Sequence, residues 1–552
     1  MESHRSRRWL LLPALFLAVP WAIGASLRFF NIKSQVIGGD ELHILRAALL
    51  MPLGEALTTY KPSDNCIPLS SLYRFMLDCG VQLTEMHLRS PILLFGLALL
   101  IAAPLWVRRS FDPSTSLVYA FLLSVSPLLI HYSVLVRSYL PIVVLGFIAI
   151  ISFERWMRTG DSRWGFIYAV TAALTSWFHL VAVPFVFSPF AFFAIAKLTT
   201  IRAELPSWRR GLQLALASGL LVLVFLVPAH KSLLELVAIR HTSLNLSWAS
   251  WSGVSVLMAG SAYRPVVIGF WLLAALGLVR LCLRHPFWGL YSVTPIVGQI
   301  VGLLILSPHA MNQPEIFARY LIVALPLVLF WVAYGLTAAG ELKRAKWRTP
   351  LVTVVSSSAI VALVVSGPLP NREFGSPFLY RPERVRFFLQ SPEIQRTVPE
   401  GYLTFLDFVE GPVAEYPWHT TWRYSDFIVQ PQKTHGREVV VCPAEKVLWD
   451  ERLAFRNMVI PEASSVLNSR SSYFVLHLDP LQESQALQGR PPMKGSLRSR
   501  DTLNKARELT AFAAQSSHRS KGFLWSWGEP DYRDDLLMIW NLDRVREDLN
   551  DS

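Results

Sequence analysis

The chain reads as a polytopic α-helical membrane protein of about eleven transmembrane helices followed by a C-terminal extracytoplasmic α/β domain. Three observations predict this class. Apolar stretches close to the roughly 20 residues that cross a bilayer recur through the first two thirds of the 552 residues and stop near Gly367. Hydrophobic residues make up 52% of the chain and charged residues only 16%, with a mean hydropathy of +0.37, too apolar for an ordinary soluble protein. Lys and Arg gather in short clusters between the apolar spans, as in cytoplasmic loops.

The predicted spans, in order, are Trp9 to Leu27, Ser90 to Val107, Thr115 to Ile130, Tyr139 to Phe153, Trp164 to Phe178, Val181 to Ala196, Leu212 to Pro228, Val266 to Leu283, Phe287 to Leu306, Tyr320 to Ala339 and Pro350 to Ser366. The first has basic residues ahead of an apolar run, like a signal peptide. It carries no small-residue cleavage site and runs on into Ser26 and Leu27, so it reads as a retained helix.

Orientation follows from the cations. Arg5, Arg7 and Arg8, then Arg108 and Arg109, Arg155, Arg158 and Arg163, Lys197 to Arg210, Arg280 and Arg284, and Lys343 to Arg348 mark one side as cytoplasmic. An odd number of spans then puts the amino terminus inside and the C-terminal domain outside a cell inner (plasma) membrane. Residues 1–366 form the transmembrane domain, with 28–89 as its first extracytoplasmic loop, and residues 367–552 the exterior domain. The net charge of +13 belongs to these loops; no basic stripe with interleaved aromatics argues for nucleic acid.

Three exterior segments stand apart. The first loop holds an amphipathic stretch from Leu69 to Leu83 suited to the membrane surface. It also holds Cys66 and Cys79, two of four cysteines, close enough in sequence for a bridge in an oxidising compartment. The loop from Ala229 to Arg264 carries Trp248 and Trp251, read as interfacial anchors ahead of sugar-stacking platforms. Beyond Gly367, strand-like runs at Tyr402 to Phe408, Glu438 to Cys442, Tyr473 to Leu478 and Leu536 to Asn541 alternate with helix-like runs at Pro382 to Gln395, Ala444 to Asn457 and Thr502 to Ala514.

Among acidic residues, Asp112, Glu154, Asp161 and Glu204 read as ordinary cytoplasmic loop charges. Asp40 and Glu41 differ: they stand together behind Gly38-Gly39 in the first exterior loop. Paired carboxylates near an apolar surface can have one pKa raised, which suits a general base. An Asp capping a helix that begins at Glu41 accounts for the same residues, and both readings stay open on the residues alone. On the same face, Ser126-Pro127 to Tyr132-Ser133 leads to Arg137, and Phe317-Ala318-Arg319-Tyr320 brings a second Arg into a span. A guanidinium fork at that depth matches a phosphate, of a substrate or of a lipid headgroup. His179 marks one further outer turn, where a lone His is more often structural.

These parts, in this order, resemble the integral-membrane glycosyltransferases with the GT-C fold, in the branch of protein O-mannosyltransferases and the lipid A aminoarabinose transferase. The matching stretches are Leu27-Arg28-Phe29-Phe30 leading to Gly39-Asp40-Glu41, then Ile67-Pro68-Leu69, Leu88-Arg89-Ser90-Pro91 with Phe95-Gly96, and Ser126-Pro127 to Tyr132-Ser133. Arg137 and Tyr139 follow, then His179, and Ala318-Arg319-Tyr320-Leu321 with Pro326. They span roughly residues 9–366 and rest on ordered placement. The chain departs from the pattern at Pro62 to Ile67, less proline-rich than in relatives, and at Val134-Leu135-Val136, where many relatives are polar.

The resemblance implies transfer of a sugar from a polyprenyl-phosphate donor to an acceptor on the extracytoplasmic face, a protein, lipid or polysaccharide. Asp40 would be the base and Glu41 its partner, Arg137 and Arg319 would bind the donor phosphate, and Tyr132, His179 and Tyr320 would contact substrate. A monophosphate leaving group has little need of a divalent ion, so neither an obligatory metal nor any other cofactor is expected. A transporter or lipid flippase is the main alternative, although such proteins place charges near mid-membrane in repeated halves and no matching halves occur here. A noncatalytic membrane anchor for the exterior domain is the other.

Overall fold

The computed structural model describes residues 17–30, 32, 41, 44, 47–48, 51–60, 66–81, 85–199, 205–240, 246–308, 311–338 and 345–369, and, further on, 413–416, 418–419, 439–440, 444–448, 458–461, 472–477, 531–533 and 537–551. The chain divides into two compact units, Met1–Lys33 with Ile44–Ser391, and Ser34–His43 with Pro392–Ser552.

The first unit is a helical bundle. Its elements are α1 (Leu17–Phe29), α2 (Leu53–Thr58), α3 (Ile67–Asp78), α4 (Glu85–Ser110), α5 (Pro113–Val125), α6 (Pro127–Val134), α7 (Tyr139–Thr159) and α8 (Ser162–Phe178). A 3₁₀ turn at Leu180–Ala182 leads to α9 (Val183–Phe187), α10 (Pro189–Leu198) and α11 (Trp208–Leu226); a second, Val227–Ala229, leads to α12 (His230–Arg240) and α13 (Trp248–Ala259). Then come α14 (Arg264–Arg284), α15 (Pro286–Leu306), α16 (Pro314–Leu321), a 3₁₀ turn at Ile322–Ala324, α17 (Leu325–Ala338) and α18 (Ala345–Val365).

Among the described residues, seven helices are long and apolar enough to cross a membrane, and α5 with α6, bent by 57°, makes an eighth if the pair is one span. The chain is therefore a multi-pass membrane protein. The other three predicted segments are also helical but short: the described part of the first begins at Leu17, α8 has 17 residues, and the apolar part of α18 is Pro350–Val365. Thr115 to Ile130, expected to be one span, breaks at Ser126, which is extended, and Pro127, which has no N–H to continue the ladder, starts a new helix at its favoured first position.

Packing in the bundle depends on missing side chains. A Cβ at Gly277 on α14 would lie 1.8 Å from the Trp331 carbonyl oxygen, and one at Gly335 on α17 would lie 2.2 Å from the Leu273 oxygen. Such close backbone approach is what small residues provide between membrane helices. It leaves α17 buried from Leu325 to Thr337. By contrast α11 buries only Gly211, Leu214 and Ser218 and exposes Leu212, Leu216 and Leu220, a lipid-facing stripe.

Of the four acids read as loop charges, Asp112 and Asp161 are helix N-caps, accepting from the Thr115 and Arg163 N–H groups. Glu154 corrects the expectation: it lies inside α7, 2% exposed, 3.3 Å from Arg158 one turn on. Glu204 lies outside the described residues. Cys66 and Cys79 are not in a disulfide and flank opposite ends of the 12-residue α3. At 1.5 Å per residue, that helix holds them roughly 20 Å apart, far beyond disulfide reach. The helix also accounts for most of the amphipathic stretch, burying Ile67, Leu69 and Tyr73.

In the second unit, strands β1 (Val413–Tyr416), β2 (Trp418–His419), β3 (Val439–Val440), β4 (Ala444–Leu448), β5 (Met458–Pro461), β6 (Tyr473–His477), β7 (Tyr532–Arg533) and β8 (Leu537–Asn541) precede α19 (Leu542–Asp551). Five form a mixed sheet in the order β3-β1-β6-β8-β7, with β1 parallel to both neighbours and β8 antiparallel to both of its own; β2, β5 and β4 form an antiparallel sheet. Asn541 turns β8 into α19 by accepting from the Asp543 and Arg544 N–H groups. The helix expected from Ala444 starts as β4, since Lys446, Val447 and Leu448 pair with β5. The runs Tyr402 to Phe408, Pro382 to Gln395 and Thr502 to Ala514 lie outside the described residues.

Candidate active site at three helix breaks

Three interruptions of the bundle bring the predicted residues together. The first is the α5–α6 bend. Without an N–H on Pro127, the Leu123 carbonyl loses its helical donor, and the Arg28 Nη2 replaces it at 3.1 Å. Arg28, 1% exposed, also donates from Nη1 to the Gly24 carbonyl and from Nε to Ser133 Oγ. A Cβ at Gly96 would lie 2.4 Å from Ser133 Oγ, so only glycine lets α4 close on this junction. The result is a fixed orientation for α6, which carries Tyr132, and for the turn after it. Arg137 sits half-buried in that turn, its N–H donating to the Leu135 carbonyl at 2.7 Å. Tyr139 then opens α7.

The second break ends α8. His179 is extended and 5% exposed, and its Nδ1 accepts from the Val181 N–H at 3.3 Å, capping the 3₁₀ turn. An accepting Nδ1 carries no proton, so in the neutral ring the proton sits on Nε2. The third break follows Arg319 and Tyr320 at the end of α16, where Pro326 cannot donate to Ile322 and the Leu325 N–H serves that carbonyl instead.

The side chains at these breaks touch. The Tyr132 and Tyr139 ring centroids are 5.1 Å apart, those of Tyr139 and His179 5.4 Å, and those of His179 and Tyr320 6.0 Å. The Arg319 guanidinium carbon lies 5.5 Å from the Tyr139 ring centre and 5.8 Å from that of Tyr320, within cation–π range. Four of the predicted site residues, Tyr132, His179, Arg319 and Tyr320, thus form one cluster, with Tyr139 at its centre. Arg137 is two residues from Tyr139 in sequence. Asp40 lies outside the described residues; Glu41 is helical, 3% exposed, and belongs to the Ser34–His43 segment of the other unit.

Helix α13 buttresses the third break: Ser250 Oγ donates to the Asn312 carbonyl at 2.8 Å, Gly253 makes room for Pro314, and Trp251 packs on Phe317 at 4.8 Å. Trp251 is therefore a packing residue, while Trp248 is 85% exposed and free to anchor. Two buried polar residues were not read as site components, Arg28 and Gln299. Gln299 had a legible signal, an amide in the middle of an apolar span. Its Nε2 donates to the Val181 carbonyl at 3.0 Å and to the Tyr320 carbonyl at 2.8 Å. A guanidinium near aromatic rings, an imidazole and several phenols make a setting for an anionic ligand with a polar, ring-shaped group beside it.

No protein-family model matches the chain, and no curated protein matches it. Among solved structures, ArnT from Cupriavidus metallidurans in the apo state aligns over 97% of this chain and 98% of its own, at 10% identity and a TM-score of 0.52. The Archaeoglobus fulgidus oligosaccharyltransferase complexed with Zn and sulfate aligns over 84% of this chain and 68% of its own, at 12% identity and a TM-score of 0.46. With ArnT matched nearly end to end, the fold expected from the ordered motifs is the one observed: the chain is a multi-pass membrane protein with the GT-C fold.

Proposed function

We propose that this protein is a glycosyltransferase that moves a sugar from a polyprenyl-phosphate donor to an acceptor on the extracytoplasmic face of the membrane. The observation that carries the reading is Arg319 held over Tyr139 and Tyr320 beside His179, at converging helix breaks of a GT-C fold. The donor is a phosphodiester, and the leaving monophosphate gains negative charge as the sugar–oxygen bond breaks. Preorganised cations act on that change, so Arg319 and Arg137 are assigned to the phosphate. Tyr132, His179 and Tyr320 are assigned to the sugar and its linkage.

Asp40 is assigned as the base. It takes the proton from the acceptor hydroxyl as that oxygen attacks the anomeric carbon, with Glu41 positioning it, and a single displacement inverts the sugar carbon. Activated sugar on a flipped lipid reaches the outer leaflet, where nucleotide sugars are not generally supplied, which suits a site set in a bundle. No metal enters the scheme.

The test is Asp40→Asn in purified full-length protein. A general base contributes roughly 10²–10⁴ in rate; transfer is expected to fall by that order while binding of undecaprenyl phosphate holds. Turnover at the wild-type rate ends the base assignment. A flippase instead moves the lipid without consuming its sugar bond, so lipid translocation in vesicles with no glycosylated product selects that reading.

A further inference from the structure

We infer that Gln299 is a positioning residue that locks the His179 turn to the Arg319–Tyr320 break and so sets the spacing between imidazole and guanidinium. The inference rests on the proposed function for what the spacing serves, and on geometry for its existence. Gln299 is fully buried in α15, and one amide nitrogen spans two elements: the carbonyl of Val181, whose own N–H is held by His179, and the carbonyl of Tyr320, the residue after Arg319. The amide has one possible orientation, because both neighbours are acceptors and only the NH₂ group satisfies them.

The flanking residues permit that reach. Cβ atoms at Gly298 and Gly302 would stand 2.4 Å from Ser188 Cβ and 2.2 Å from Pro184 Cγ, so glycine at both positions lets the segment after His179 lie directly on α15. In a Gly-Gln-Ile-Val-Gly stretch, the glycines bring the broken helix close and the glutamine fixes its register. A buried donor serving two carbonyls at two breaks couples them: neither moves without losing a bond that water cannot replace at that depth.

The experiment uses full-length protein in detergent and three substitutions. Gln299→Met keeps length and loses both bonds; Gln299→Glu keeps shape and, when ionised, has no proton to donate. Ser292→Ala, on the same helix, removes the partner of the Trp331 indole N–H, 3.0 Å away, and tests loss of a buried bond elsewhere. Undecaprenyl phosphate binding is expected to weaken by about ten- to a hundredfold in both Gln299 variants and by less than about twofold in Ser292→Ala, at similar losses of thermal midpoint. Hydrogen–deuterium exchange without lipid is expected to rise together in residues 177–186 and 317–326 for Gln299→Met and for ionised Gln299→Glu, and not for Ser292→Ala. Exchange that rises in one segment or in neither overturns the inference, whether or not lipid binds; so does lipid binding that Gln299→Met leaves unchanged. Wild-type protein that ignores undecaprenyl phosphate while the two segments still loosen together removes the proposed function and leaves the coupling standing.

Discussion

Two arginines lie over tyrosine rings near opposite ends of the same span, Pro314–Ala338, and their settings differ. Arg280 from α14 stands 4.4 Å from the Tyr334 ring and donates to the Tyr334 carbonyl and to Thr337 Oγ1, which bonds in turn to Thr115 on α5. Its donors serve the last turn of an unbroken helix, where a cation offsets orphan carbonyls and the helix dipole. The Arg319 guanidinium lies 5.5 Å from the Tyr139 ring and 5.8 Å from that of Tyr320, rings from different elements that both contact His179, with helices interrupted around it. Cation–π geometry alone does not mark a site. An arginine whose donors close a helix end is architecture, whereas one set among aromatic rings from several elements, where helices break, is the candidate for a ligand phosphate.

The largest test of this contrast is removal of each cation. Arg319→Ala is expected to cut transfer per folded molecule by about 10²–10³, the scale for deleting one preorganised stabiliser of developing charge. Arg319→Lys should recover little, since a compact ammonium neither stacks on two rings nor forks onto a phosphate. Stability collapsing with Arg319→Ala while the folded fraction stays fully active would reverse the roles given to the two ends.

The opposite substitution, Arg280→Ala, is expected to cost stability, about 1–3 kcal/mol for hydrogen bonds from a charged group, read as a lower thermal midpoint in detergent. Donor binding and turnover per folded molecule should match wild type. An inactive but equally stable Arg280→Ala protein would show that the architectural reading of this end is wrong.

The contrast also separates what local sequence carries from what it does not. Span length and apolarity are local, so the helices were legible, and so was the placing of Arg319, His179 and Tyr132 near ends of spans, although Tyr132 and Arg319 prove to lie in short helices and only His179 in a turn. Burial of a charge is not local. Glu154 lies late in α7 next to a cationic cluster and reads as a loop acid until packing places it at 2% exposure. The α5–α6 bend had its signal in Ser126-Pro127, but the group that stabilises it, Arg28, comes from 95 residues earlier. Gln299 likewise joins Val181 and Tyr320, 118 and 21 residues away. Each of the three pairings closes only in three dimensions, and they hold the breaks that make the site.

The smallest expected effect sharpens the architectural end. His285, between α14 and α15, packs edge-on against Phe111 at 5.4 Å and faces Tyr334 at 6.4 Å. Its pKa is pushed below the ordinary histidine value by partial burial first, then by Arg284, Arg280 and Arg158, with Asp112 opposing. A folded-state pKa below the unfolded one means the unfolded chain takes up the proton first as pH falls. The neutral imidazole's contribution is then complete above about pH 6.5 and declines as pH drops below that toward the folded value. His285→Ala should shrink the fall in thermal midpoint between pH 7.5 and pH 5 relative to wild type, by a modest amount because the residue is only partly buried. Arg280→Ala should shrink it too, since one of the cations opposing protonation is gone. Arg319→Ala, at the far end of the span, should leave the slope as it is. Equal slopes in wild type and His285→Ala would place the acid sensitivity of this protein elsewhere, and a changed slope in Arg319→Ala would mean that the two ends are not electrostatically separate.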